Sequence, residues 1–118
     1  MKKVAVIRRA SFNAAHKLWN NDWSIEKNKE VFGLCANENF HGHNYTIEVK
    51  IIGEIQAETG YVIDLKIIKD IIKDEIEARF DHKNLNLDTT EFSQLNPTAE
   101  NMVVVIYDLI RKRLDAQY

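Results

Sequence analysis

The sequence predicts an α+β fold, two strands followed by two amphipathic helices, and three observations carry this. From position 41 the odd residues are His41, His43, Tyr45, Ile47, Val49 and Ile51, while the even ones from Gly42 to Lys50 are polar or small. That period of two marks a half-buried antiparallel strand. Leu65, Ile68, Ile72 and Ile76, widened by Ile67 and Ile71, recur at helical spacing. Met102, Val103, Ile106, Leu109 and Ile110 do the same further on, towards Leu114.

Taken in order, residues 3–16 read as the first strand, with Val4, Val6, Ala10, Phe12, Ala14 and His16 on the more apolar, even face. Lys17 to Glu30 has neither period, which predicts a loop with a short helix. The second strand starts at His41, and Gly53 and Gly60 punctuate its exit. Asp64 can cap a helix running from Leu65 to about Arg79, because its carboxylate can accept from first-turn amides. Asn96-Pro97 predicts the start of the second helix: an N-cap residue, then a proline whose missing N–H costs nothing in the first turn. Arg111, Lys112 and Arg113 suit that helix's negative C-terminal end.

A chain of 118 residues supports one domain with a single modest core, so residues 1–118 are expected to be one unit. Hydrophobic residues at 45% and charged residues at 29% are ordinary globular values. Sixteen basic against eighteen acidic side chains give a formal charge of -2. That balance offers no electrostatic footprint for duplex nucleic acid or an anionic membrane. One cysteine excludes an internal disulfide and favours a reducing, cytoplasmic setting. The longest apolar run, Met102 to Tyr107, is far too short to span a bilayer.

The histidines carry the functional question. Period two places His41 and His43 on one strand face, with backbones about 6.6–6.8 Å apart. If the two strands pair antiparallel, the end of the first meets the start of the second and brings His16 beside His41. Three imidazoles with an open fourth position are the ligand set of a catalytic zinc site. A His-x-His pair alone is common and needs no ligand; the third histidine is what raises the metal reading. Gly42, between the two, has no side chain to crowd the opposite face or a nearby backbone.

Cys35 lies six residues before His41, in a polar stretch with Asn37, Glu38 and Asn39. Beside a metal and an imidazole, a thiol can act as a thiolate base or nucleophile. As a fourth ligand it would instead close a structural zinc site, and as a small buried hydrophobe it would have no chemistry at all. Asp81-His82 follows the first predicted helix. An adjacent carboxylate can orient a histidine, although a helix end closing on a histidine needs no function. Glu100 falls in the first turn of the second helix, where the dipole alone favours a carboxylate.

Five ordered segments together resemble one family. These are Phe12-Asn13-Ala14-Ala15-His16; Cys35 followed by His41-Gly42-His43-Asn44-Tyr45; Gly60-Tyr61-Val62-Ile63-Asp64; Asp81-His82-Lys83-Asn84-Leu85-Asn86; and Pro97-Thr98-Ala99-Glu100-Asn101. They resemble the 6-pyruvoyltetrahydropterin synthases, a family that also holds the 6-carboxytetrahydropterin synthases of queuosine precursor formation. The resemblance implies a tunnelling fold (T-fold), an antiparallel sheet with two helices packed on one face. It implies zinc held by His16, His41 and His43. It also implies Cys35 as the catalytic base, working with Asp81 and His82, and Thr98 and Glu100 in the segment lining the pterin pocket. The implied substrate is 7,8-dihydroneopterin triphosphate, and the implied assembly is a homo-oligomer, a hexamer built as a dimer of trimers.

The five residues between Cys35 and His41 resemble the pyruvoyl-forming branch; the carboxy-forming branch, which releases acetaldehyde and triphosphate, more often has three. The family pattern continues with a C-terminal strand pair and a pterin-gripping glutamate. Both are missing from a sequence that ends at Tyr118, so truncation is expected. Two alternatives to an enzyme remain at this point: a non-catalytic pterin-binding module, and a structural zinc protein closed by Cys35.

Overall fold

The computed structural model describes residues 2–117. Strand β1 (Lys3–His16) and strand β2 (His41–Glu54) pair antiparallel along their whole length, from Lys3 opposite Glu54 to His16 opposite His41. The register puts even residues of β1 and odd residues of β2 on one inner face: Phe12 opposite Tyr45, Ala14 opposite His43. Phe12, Ala14 and His16 are buried there, as the more apolar even face predicts. The outer face is mixed, with Ile7 and Ile52 exposed at one end and polar pairs further along. Arg9 donates to Glu48 at 2.7 Å and the Ser11 and Thr46 hydroxyls meet at 3.4 Å. Both pairs are exposed, so they favour the register more than they add stability.

The segment between the strands is organised by polar side chains, which explains why it shows no apolar period. Helix α1 (Ile25–Phe32) is capped by Ser24, whose hydroxyl accepts the Lys27 N–H at 3.1 Å, and ends at Gly33 with φ 57°. Fully buried Asn28 accepts the Asn20 N–H at 2.7 Å and donates to the Asn20 and Ser24 carbonyls at 2.9 and 3.0 Å. A 3-10 turn (Gly33–Ala36) then carries Cys35.

Asp64 caps helix α2 (Leu65–Ile72) by accepting the Lys66 N–H at 2.9 Å, as expected. The rod continues as a π-helical turn (Lys73–Glu77) and helix α3 (Ala78–Phe80), ending within one residue of the expected boundary. The π turn has no signature in the apolar spacing. Its acids Asp74 and Glu75 each receive Arg113 at 3.2 Å. Beyond it, strand β3 (Lys83–Asn84) runs parallel to the end of β1, opposite Ala14 and Ala15, giving the order β2-β1-β3. Helix α4 (Leu85–Asp88) and helix α5 (Ala99–Gln117) complete the described chain.

The start of α5 differs from expectation. Thr98, not Asn96, is the capping residue, its hydroxyl accepting the Asn101 N–H at 3.1 Å. The Asn96 carboxamide is engaged elsewhere, accepting the Trp19 N–H at 3.2 Å. Pro97 therefore precedes the helix, with a consequence for His16 described below.

The core lies between the inner sheet face and the helices, where Phe12, Ile68, Ile76, Phe80, Met102 and Ile106 are buried together. Phe80 packs at 6.3 Å from Phe12 and 5.5 Å from Phe92, ring centre to ring centre. Burial of each such side chain contributes about 1.5–3 kcal/mol before entropy is charged. A cleft of about 660 Å³ opens between β2 and α5, lined by Tyr45, Ile47, Val49 and Ile51 on one side and Met102, Ile106 and Ile110 on the other. No described helix is long and apolar enough to cross a membrane.

Candidate metal centre and its surroundings

The strand register brings three histidines to one end of the inner face. His16 is opposite His41, and His43 is opposite Ala14, two residues back on β1. Each of the three rings offers a nitrogen, and these nitrogens lie within 4.8 Å of one another. The rings stand edge to face, at 4.6 Å for His16–His41, 4.9 Å for His16–His43 and 4.6 Å for His41–His43. His16 is buried, His41 half-buried and His43 exposed, so the cluster opens on its His43 side.

The hydrogen bonds decide what the nitrogens can do. His16 Nδ1 lies 2.9 Å from the Pro97 carbonyl. A carbonyl only accepts, so Nδ1 carries the hydrogen and Nε2 presents a lone pair. That lone pair faces His41 Nε2 at 3.0 Å, while His41 Nδ1 is buried with no partner among the described residues. If His41 Nε2 carries its hydrogen, a buried Nδ1 lone pair goes unmet. If Nδ1 carries it, two lone pairs confront each other across 3.0 Å. A divalent cation accepting lone pairs from the rings removes that conflict, and the three nitrogens fit it. Ligands at 2.0–2.1 Å around a tetrahedral ion lie about 3.3–3.4 Å apart, so the close pair needs to open only slightly.

Electrostatics favour the ligating form of His16 and His41. Burial lowers the pKa of His16; the Pro97 carbonyl opposes this, and the His41 and His43 rings lower it further. Burial and His43 lower that of His41. A group of neutral imidazoles has no proton to displace before binding metal.

Tyr45, on the same face two residues beyond His43, lies in the resembling segment but is given no role by it. Its hydroxyl is 3.3 Å from His16 Nδ1. Burial, then the negative charge of a Cys35 thiolate, pushes its pKa up to about 12, so it stays a phenol. Cys35 is not a member of the histidine cluster. The cysteine is half-buried, and its carbonyl accepts the Leu18 N–H at 2.7 Å, tying the 3-10 turn to the chain just after His16.

Asp81 and His82 are held elsewhere, along the side of β1 that pairs with β3. Asp81 Oδ1 accepts the Asn13 N–H at 2.9 Å, and the His82 N–H donates to the Asn13 carbonyl at 2.6 Å. His82 takes a left-handed φ of 61°, uncommon for a residue with a side chain, and its Nδ1 lies 3.1 Å from Asp81 Oδ1. The Asn13 amide, helped by His82, holds the Asp81 carboxyl below its usual range. The imidazole is 78% exposed, and among the described residues no hydrogen bond or ion pair joins either side chain to Cys35. Thr98 is spent as the α5 cap, and Glu100 is exposed in the first turn of that helix. Gly42 proves less constrained than expected: a Cβ there would meet only the Ala14 carbonyl, at 4.0 Å.

Comparison with known proteins agrees with this geometry. The family model described as 6-pyruvoyl tetrahydropterin synthase matches residues 5–118. The 6-pyruvoyl tetrahydrobiopterin synthase of Homo sapiens is 42% identical over 112 residues, 95% of this chain and 77% of that protein. The 6-carboxy-5,6,7,8-tetrahydropterin synthase of Rickettsia typhi is 31% identical over 126 residues, covering 94% of this chain and 83% of that one. The solved structure of Caenorhabditis elegans 6-pyruvoyl tetrahydropterin synthase superposes with a TM-score of 0.90 at 37% identity, covering 95% of this chain and 79% of that chain. The fold is accordingly the T-fold, and the chain belongs to the 6-pyruvoyl tetrahydropterin synthase family.

Proposed function

We propose that this protein is a zinc-dependent lyase that converts 7,8-dihydroneopterin triphosphate to 6-pyruvoyltetrahydropterin with elimination of triphosphate. The observation that carries the reading is the cluster of three imidazoles, open on its His43 side, with the backbone of Cys35 bonded to Leu18, two residues after His16. His16, His41 and His43 would hold the zinc, which when bound supplies Lewis acidity towards the hydroxyls of the substrate's side chain.

The protein's own groups account for the proton traffic. Cys35, as a thiolate, removes a proton from the side-chain carbon as the triphosphate departs with the bonding electrons of its C–O bond. The remaining rearrangement moves protons between carbon, oxygen and the ring without net oxidation, so no redox cofactor is needed. Asp81 orients His82, which exchanges protons with the rearranging side chain. Because the described contacts tie the Asp81–His82 pair to the side of β1 that pairs with β3 rather than to Cys35, the full set forms when two copies meet, one supplying the thiol and the other the pair. This reading asks for a homo-oligomer, and a dimer of trimers is the assembly proposed. Thr98 and Glu100, at the start of α5, would line the pterin pocket. A cytoplasmic setting suits the single thiol.

The second reading, formation of 6-carboxytetrahydropterin with release of acetaldehyde, rests on the likeness to the Rickettsia typhi protein. Mass spectrometry of the products from dihydroneopterin triphosphate separates the two, and absence of any turnover by the metal-loaded oligomer refutes both. Cys35→Ala is expected to keep zinc and lose product; loss of zinc instead points to a structural, cysteine-closed site.

A further inference from the structure

The last ladder contact between β1 and β3 pairs Ala15 with Asn84, after which the chain turns into α4 and its backbone can no longer pair. The Asn86 side chain takes over. Its Oδ1 accepts the Lys17 N–H at 2.9 Å and its Nδ2 donates to the Lys17 carbonyl at 2.9 Å. One carboxamide thus meets both polar groups of a single residue, as the N–H and C=O of a directly opposed residue do in an antiparallel hydrogen-bonded pair.

What the clamp holds explains its interest. Lys17 is flanked by His16, whose imidazole is in the metal cluster, and by Leu18, whose N–H donates to the Cys35 carbonyl at 2.7 Å. At the other end of the same short segment, Asp81 and His82 are fastened to the backbone of Asn13. The chain from 81 to 86 is therefore fixed to β1 on both sides of its terminal turn. Slack at residue 17 would reach the imidazole on one side and the cysteine-bearing turn on the other.

We propose that Asn86 is a positioning residue that sets the spacing between the metal cluster and Cys35 by completing the β1–β3 ladder with its side chain. This rests on the zinc-lyase reading for its importance to turnover, but not for its physical content. Partners that orient a ligand from behind are typically worth roughly 10–100-fold in metal affinity, and Asn86 acts one residue further out, so the low end applies.

The test uses the full chain with Asn86→Ala, Asn86→Asp and, as a destabilised control, Thr89→Val, which removes the buried Thr89 hydroxyl bond to the Leu85 carbonyl. Asn86→Asp retains an acceptor for the Lys17 N–H but cannot donate to its carbonyl, and it carries the experiment should Asn86→Ala not fold. Amide hydrogen exchange is expected to quicken at Leu18 as well as Lys17 in the Asn86 variants and not in Thr89→Val. Cobalt(II) titration is expected to show about tenfold weaker binding with altered visible bands. Turnover should fall through kcat more than KM. Unchanged Leu18 exchange and cobalt spectra in folded Asn86 variants, or the same changes in Thr89→Val, overturn the proposal. If wild-type protein made no pterin product, the exchange and cobalt results would still decide the role of Asn86.

Discussion

His16 and His43 would give the same zinc one nitrogen each, yet their deletion should differ in a measurable way. His16 is 6% exposed and bonded to the carbonyl of Pro97, itself fully buried, whereas His43 is exposed. His16→Ala leaves a cavity and an unmet buried carbonyl, together about 2–4 kcal/mol in the metal-free protein. At about 3–6 °C per kcal/mol for a domain of this size, the metal-free Tm drops by roughly 10 °C. His43→Ala removes ring contacts made from an exposed position and breaks no hydrogen bond found among the described residues, so it should stay within about 1 kcal/mol of wild type. Zinc at a hundred times its dissociation constant adds about 2.7 kcal/mol to the wild-type protein, and both variants should lose nearly all of it. Differential scanning fluorimetry with and without zinc reads all four numbers. Full zinc stabilisation surviving in His43→Ala refutes a three-imidazole site. Equal metal-free Tm values for the two variants refute the argument from burial and the Pro97 bond.

Three further outcomes follow from the fold. Phe80→Ala, which empties a fully buried position between Phe12 and Phe92, should cost about 3–5 kcal/mol in a denaturant titration. Thr98→Ala should cost about 1 kcal/mol by removing the α5 cap, and Thr98→Ser should restore most of it; a larger loss from Asn96→Ala at the same helix end would reverse that assignment. The lowered pKa of His16 means that metal-free unfolded chains take up its proton first as pH falls. Stability is then fully present above the ordinary value of 6.5 and is lost below it, down to the folded value, at about 1.4 kcal/mol per pH unit. Urea titrations from pH 7.5 downward should show that loss in wild type and a shallower one in His16→Asn.

Much of the architecture was legible because it rests on local periodicity. The alternation from His41 to Ile51 gave β2 its inner face, and the even residues of β1 supplied the matching one. The meeting of His16 with His41 needed only the assumption of antiparallel pairing, since strand ends joined by an intervening segment face each other. What escaped the sequence was made by contacts between distant side chains and backbone. Asn96 looks like a helix cap, but its carboxamide serves Trp19, and Thr98 does the capping. Strand β3 is two residues long, too short for any period to register. The π turn at Lys73–Glu77 leaves the spacing of Ile72 and Ile76 undisturbed. Tyr45 and Pro97 both stand in recognisable segments, but the contacts each makes with His16 appear only once the strands pair and the start of α5 docks beneath them.

The bond from His16 to Pro97 joins positions 81 residues apart in sequence, and so ties the first strand to the threshold of the last helix. Any ion drawing on the His16 lone pair polarises the imidazole and strengthens its grip on that carbonyl. Chelation should therefore be felt as a loosening of the amino end of α5, beside Thr98 and Glu100, the residues proposed to line the pterin pocket. An enzyme stripped of its ion would lose part of its hold on the organic substrate as well.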